Sequence, residues 1–178
     1  MKLWKNLLFG FAGIILILLL VGWLLPSRQR IKRNIILKGK PEDVFVLTAT
    51  LKRWPDWTAW TTNRFPDLTL RFDGPDMGVG ATMIAAGKSS GDGTVKITAA
   101  DPANGIAYTL DFNHGTQIFF GSIRHTNAPG GLRVAWTLEA DLGMNPLKRW
   151  GGLVMGLLMG GDMQQGLVNL KRQVERQP

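Results

Sequence analysis

The apolar positions follow three different patterns along the chain, and the first has no period. Leu7 to Leu25 is a run of 19 residues without charge or proline. As a helix it would reach about 28 Å at about 1.5 Å per residue, close to the ~30 Å hydrocarbon core of a bilayer. Trp4 and Trp23 lie near its ends, with Lys2 and Lys5 before it and Arg28, Arg30, Lys32 and Arg33 after it, the arrangement of an interfacial belt. The pattern predicts a membrane anchor over residues 1–28 with its span at 7–25, in a single-pass membrane protein. The rival reading is a cleavable signal peptide, which wants a shorter apolar core and small residues at the cleavage site. This run ends Gly22-Trp23-Leu24-Leu25-Pro26-Ser27, so an uncleaved anchor is expected. The basic residues after the span slightly outnumber those before it and favour a cytoplasmic domain. A short basic N-terminus also begins many anchors of exported domains, so both sides of the membrane stay open.

From residue 29 the pattern alternates. In Gln29–Leu37, Ile31, Ile35 and Leu37 share one parity against Arg30, Lys32 and Asn34, which predicts a strand. Lys40-Pro41-Glu42-Asp43 then opens a helix, with proline at an early position and two carboxylates at the positive end of the dipole. Val44, Leu47 and Leu51 form its buried stripe. Trp54-Pro55-Asp56-Trp57-Thr58-Ala59-Trp60 predicts a short helical turn. Six further strands follow at 68–72, 81–86, 94–100, 106–112, 117–126 and 132–142, separated by turns such as Gly74-Pro75-Asp76 and Gly91-Asp92-Gly93. The last strand alternates most cleanly, with Leu132, Val134, Trp136, Leu138, Ala140 and Leu142 opposed by Arg133, Thr137, Glu139 and Asp141. One face is buried and the other wet, as in an antiparallel sheet covered on one side.

Helical spacing takes over at Asn145-Pro146, an N-cap followed by a first helical residue. The helix is expected to run to about Arg176, with a kink at Gly160-Gly161 and a restart at Asp162, which has capping-box spacing to Gln165. Strand, helix, turn, six strands and a long helix make an α+β fold in which a seven-stranded antiparallel sheet and a closing helix bury each other's apolar faces.

Charge changes the picture less than its total suggests. The chain of 178 residues carries a formal +8, which by itself would point to nucleic acid. Residues 1–33 account for +6 of it and the remaining 145 residues for +2. The basic excess flanks the span, and the domain has no basic stripe, so no nucleic-acid partner is expected. With no cysteine there is no disulfide, thiolate nucleophile or cysteine metal site. Gly87-Lys88-Ser89 lacks the upstream glycine of a phosphate loop (Thr82 stands there), and Gly78-Val79-Gly80 lacks the third glycine of a dinucleotide site (Met83). No cofactor and no metal are expected.

Four segments carry a family resemblance: Lys40–Phe45 opening the first helix, Trp54–Trp60 after it, Gly74–Ala81 before the third strand, and Asn145–Trp150 with Gly160–Glu175 at the end. With them the chain resembles the START-like (SRPBCC) superfamily, in its polyketide cyclase/dehydrase and lipid-transport branch, over about residues 29–176. The resemblance implies a helix-grip fold, a curved sheet wrapped around the C-terminal helix with a hydrophobic cavity between them. It implies a small apolar molecule or lipid as the ligand. Activities differ widely within such a fold, which leaves the reaction, if any, unspecified.

Candidate cavity residues follow. Met155, Met159 and Met163 are spaced i, i+4, i+8 on the last helix, where they serve as core or as an adaptable cavity wall. Trp57 and Trp60 are candidates for the pocket mouth, with Trp54 as a brace. Tyr108, Phe112 and Phe119 are further candidates from the strands. Trp136 falls on the buried parity and needs a partner for its indole N–H. Gly152, Gly156 and Gly160 repeat every four residues, which points first to close approach of helix and sheet, then to room for a ligand, then to contact with the anchor. The weak acid/base candidates are His125, Asp111 and Tyr108, with both histidines, His114 and His125, expected at the surface. The leading expectation is a membrane-anchored, non-catalytic binding module on residues 29–178 that holds a hydrophobic molecule or lipid. A cyclase/dehydrase-type enzyme and a non-catalytic partner in a membrane complex are the alternatives.

Overall fold

Seven strands form one antiparallel sheet in the order β1-β7-β6-β5-β4-β3-β2. The structure, a computed structural model, describes residues 2–176, so the last two positions of the expected 29–178 domain lie outside the described residues. The strands are β1 (Arg28–Leu37), β2 (Thr69–Asp73), β3 (Thr82–Ala86), β4 (Gly93–Asp101), β5 (Gly105–Phe112), β6 (Gln117–Ala128) and β7 (Gly131–Asp141). Around them lie α1 (Lys2–Leu24), α2 (Pro41–Ala49), a 3₁₀ helix (Leu51–Asp56) and α3 (Pro146–Glu175). Consecutive strands β1 and β2 stand at opposite edges, so α2 and the 3₁₀ helix carry the chain across one end of the sheet. A register shift between Ile97 and Ala99 interrupts the β4–β5 ladder and bends that part of the sheet. The alternation expected for β7 is present: Leu132, Val134, Trp136, Leu138 and Ala140 are buried, while Arg133, Glu139 and Asp141 are exposed. This is the helix-grip fold.

Local signals place the helices, with two departures from expectation. Pro41 opens α2, and the Asp43 carboxylate accepts from the Lys40 N–H at 3.3 Å. The helical turn expected over Trp54–Trp60 comes earlier, at Leu51–Asp56. The Trp54 indole donates to the Thr48 carbonyl at 2.8 Å and fixes the turn against the end of α2. Trp57 and Thr58 then donate their N–H groups to Trp54 O and leave the helix. The second departure is in α3, which is continuous over 30 residues. Asn145 caps it, accepting from Leu147 N–H at 2.9 Å, but Asp162 starts no new helix. Its carboxylate is taken by Arg64 Nη1 at 2.6 Å instead.

The two halves of α3 are seated differently. In the second half Met163, Gly166, Leu167, Leu170 and Val174 are buried. Lys171 Nζ donates to Ile36 O at 3.0 Å, and the Lys38 N–H donates to Glu175 Oε1 at 2.8 Å. In the first half the glycine face lies against β1. A methyl group on Gly152 would strike Leu142 and Gln29, on Gly156 it would strike Gln29, and on Gly160 it would strike Arg33. The spacing therefore serves close approach, leaving room for the side chains that β1 sends across the gap. Contact between α1 and α3 uses a different glycine: a methyl on Gly22 of α1 would sit 2.7 Å from Pro146 Cβ.

That contact ties α1 to the domain. Arg149, only 7 % exposed, donates through Nη1 to Trp23 O at 2.6 Å and Leu25 O at 2.9 Å, and through Nε to Gly143 O at 2.9 Å. The carbonyls of Trp23 and Leu25 are ones that the end of α1 leaves without intrahelical donors. The Trp150 indole donates to Leu18 O at 2.9 Å. The stretch Asn6–Leu24 is long and apolar enough to cross a membrane, and only 6 % of it is buried.

A tighter glycine lies in the sheet. On Gly121 of β6 a methyl would collide with the Tyr108 ring, which is itself buried and cannot swing away. Gly121→Ala is expected to destabilise the protein by about 1–3 kcal/mol through overpacking. Gly161→Ala, with nothing within 4 Å of the added methyl, gains up to about 1 kcal/mol of helix propensity. Thermal unfolding of the detergent-solubilised chain measures both, and equal melting temperatures would contradict this packing.

Candidate functional site

Period-two strands and one helix face converge under the first half of α3. β5 turns Tyr108, Leu110 and Phe112 inward, β6 contributes Phe119, and β7 contributes Trp136 and Leu138. Met155, Met159 and Met163 cover them from α3, and a cavity of about 230 Å³ lies between. Trp60 and Phe65 close it on one side, and the Arg64–Asp162 ion pair stands at its rim. With both partners nearly half exposed, that pair contributes little to stability. A second cavity of about 210 Å³ lies toward the start of β1 and α3, lined among others by Gln29, Thr116, Leu142 and Lys148. Phe119, Leu138 and Met155 line both cavities. Together the chambers reach the range of about 300–1,000 Å³ that small-molecule sites occupy.

An aromatic cluster backs one end of the cavity. Trp54, Trp57, Tyr108 and Trp136 pack with ring centroids 5.2 to 6.3 Å apart, mostly edge to face. The Trp136 indole donates to the Tyr108 hydroxyl at 2.7 Å, which supplies the internal partner that its position demanded. Burial pushes the Tyr108 hydroxyl pKa well above its usual value near 10, and the hydrogen bond from Trp136 opposes that only in part. The phenol therefore stays neutral at physiological pH, and the wall carries no charge there.

Of the nine expected cavity residues, Trp60, Tyr108, Phe112, Phe119, Trp136, Met155, Met159 and Met163 line the first cavity. Trp57 does not. It is fully buried, with its ring against Trp54 and Trp136, and its indole N–H has no acceptor among the described residues. It belongs to the packing behind the wall because the chain leaves the 3₁₀ helix at this residue and turns the ring inward. Leu158, Arg64 and Asp162 were not anticipated at the cavity. Arg64 and Asp162 are 98 residues apart, and no local signal pairs them.

The acid/base candidates are not assembled. Tyr108 is on the inner face of β5 and Asp111 on the outer one, where its carboxylate accepts from Gly115 N–H at 2.5 Å. His125 is buried, contrary to the surface expectation, and its Nε2 lies 3.0 Å from Pro102 O in the β4–β5 turn. The inward parity of β6 places it there, away from Asp111, which pairs with Ile118 near the other end of that strand. His114 is exposed as expected, with Nε2 3.2 Å from Asp92.

Residues 28–175 match the family described as polyketide cyclase / dehydrase and lipid transport. The chain belongs to this family. The polyketide cyclase/dehydrase and lipid-transport fold recurs in solved structures of low identity. A protein from Rhodobacter sphaeroides is 16 % identical with a TM-score of 0.61, the match covering 84 % of this chain and 93 % of that one. One from Chromobacterium violaceum is 18 % identical with a TM-score of 0.54, over 84 % and 99 %. The di-domain ARO/CYC StfQ from the steffimycin biosynthetic pathway is 12 % identical with a TM-score of 0.61, over 84 % of this chain and 51 % of its own. No curated protein matches the chain. These likenesses establish the fold, and that fold is consistent with the hydrophobic-ligand-binding START-like (SRPBCC) superfamily.

Tyr108 is the chain's single tyrosine, so phenolate absorbance reports it alone. The folded form keeps a proton that the unfolded chain releases above pH about 10. Its stabilising contribution is present below that pH and is lost as pH rises further. An alkaline titration is expected to show no phenolate until the protein unfolds. Tyr108→Phe leaves the Trp136 N–H without its acceptor and is expected to cost about 1–3 kcal/mol. Phenolate formation with near-normal affinity in the folded protein would contradict the buried geometry.

Proposed function

We propose that this protein is a membrane-anchored, non-catalytic binding module that holds a hydrophobic small molecule or lipid between α3 and strands β5–β7. The observation that carries the reading is the wall itself. Three methionines and six aromatic rings line the first chamber, the buried Tyr108 hydroxyl is neutral and already hydrogen-bonded, Thr58 and Ser90 add only uncharged hydroxyls, and the ion pair stays at the rim. Such a surface offers an apolar molecule dispersion contacts and desolvation, and offers a charged one nothing in the interior. Methionine adds tolerance, because its unbranched thioether refits to chains of different shape. Trp60, Tyr108, Phe112, Phe119, Trp136, Met155, Met159 and Met163 are the proposed contacts.

Two facts support the anchor. The apolar helix α1 is almost entirely unburied within the chain, which no core helix of a water-soluble domain would be. Its C-terminal carbonyls are also hydrogen-bonded by Arg149. Removal of residues 1–25 would strip that buried guanidinium of two acceptors, so the geometry favours a retained segment over a cleaved one.

Native mass spectrometry and organic extraction of the purified full chain are expected to reveal a co-purifying apolar compound. Met155→Trp fills the wall common to both chambers and is expected to weaken binding of a fluorescent fatty-acid probe about tenfold or more, about 1.4 kcal/mol. A chain that neither carries nor binds apolar molecules would overturn the proposal.

A further inference from the structure

The first half of α3 has three faces: two meet β1 or the cavity, and the third meets α1 only near its start, at Trp150. Gly152, Gly156 and Gly160 face β1, while Met155 and Met159 face the cavity. The third face carries Leu147, Val154, Leu157 and Leu158, which are 68, 59, 80 and 66 % exposed. Met144, just before the helix, is 81 % exposed. An apolar stripe of this size is unfavourable in water, and such patches mark interaction surfaces.

The neighbouring helix identifies what covers it. Trp150, on the same stripe, donates to the carbonyl of Leu18. Leu18 lies six residues inside the apolar stretch Asn6–Leu24, about 9 Å from its end. Half of a bilayer's hydrocarbon core is about 15 Å deep. If α1 spans, the start of α3 is therefore held within one leaflet and not above it. The adjacent Arg149 fixes the same crossing nearer the end of α1, through Trp23 and Leu25. Arg28 and Lys148, both exposed at the starts of β1 and α3, are placed to meet anionic headgroups.

We propose that the outward stripe of α3, from Met144 to Leu158, is immersed in the acyl-chain layer of the leaflet that α1 enters. This rests on the anchor reading above and deepens it. Leu158 is both an exposed member of the stripe and a lining residue of the first cavity. The cavity wall is then continuous with the leaflet, and an acyl chain reaches the methionines by lateral movement without crossing water. The occupant class this assigns is a lipid or another molecule already dissolved in the bilayer.

The absence of cysteine makes a direct test possible. Single cysteines replace Leu157, Val154, Ile15 or Arg133 in the full chain. Each is labelled with an environment-sensitive nitrobenzoxadiazole dye and reconstituted in phosphatidylcholine/phosphatidylglycerol vesicles, with or without doxyl-labelled acyl chains. The labels at Leu157 and Val154 are expected to shift to the blue and lose most of their emission to the doxyl chains, as does the label at Ile15 within the span. The label at Arg133 on the wet face of β7 stays water-like. Quenching at Ile15 with water-like behaviour at both α3 positions would overturn the immersion while leaving the anchor intact, and would assign the stripe to a protein partner. Water-like behaviour at Ile15 as well would overturn both.

Discussion

The seating of the second half of α3 on the sheet is the contact on which the other features rest. Leu167 and Leu170 have no exposure at all, and Met163 and Val174 have 3 % each. Burying side chains of this kind stabilises by about 1.5–3 kcal/mol apiece. The hydrogen bonds to Ile36 and Glu175 hold the end of the helix to β1. With that half fixed and the helix unbroken, the first half projects over the remaining inner face at a distance set by Gln29 and Arg33. The space beneath it is the pair of cavities. A helix broken at Gly160, as its composition allowed, could have collapsed onto the sheet and filled that space.

The aromatic cluster sets where the hollow stops. Trp54 and Trp57 come from the segment that crosses the end of the sheet, while Tyr108 and Trp136 come from two strands that are not neighbours. Gly121, on the strand between them, lets the Tyr108 ring lie flat against the β6 backbone. The cluster fills one end of the grip solidly and leaves the other end open. The same arrangement satisfies the Trp136 indole, so the boundary between core and cavity is also the place where a polar demand is met.

Much of this architecture was legible in the residues, for identifiable reasons. Strand boundaries fall within two residues of expectation because alternation such as that of Leu132 to Ala140 is imposed by burial on one face. The methionine face of α3 was legible for the same reason, through its spacing. What failed was whatever depended on partners distant in sequence. Trp57 reads like Trp60 locally, and only the path of the chain after the 3₁₀ helix sends one ring into the core and the other to the cavity. Asp162 has the spacing of a cap, but Arg64 claims its carboxylate. His125 shows no local sign of burial; its parity on β6 was the available clue, outweighed by the usual polarity of histidine. Arg149 reads as one more basic residue near a helix start, and its role becomes visible only when the end of α1 lies beside it.

Three residues, Leu25 to Ser27, join α1 to β1. Fully extended they would cover about 10 Å, and the clamp of Arg149 on Leu25 removes part of even that freedom. For a chain held in a bilayer by α1, the domain has no radius of action. A domain so held would not ferry cargo between two membranes or reach a distant acceptor. Whatever it binds must be loaded and unloaded at one address, so any acceptor has to diffuse within the same membrane or dock on its surface.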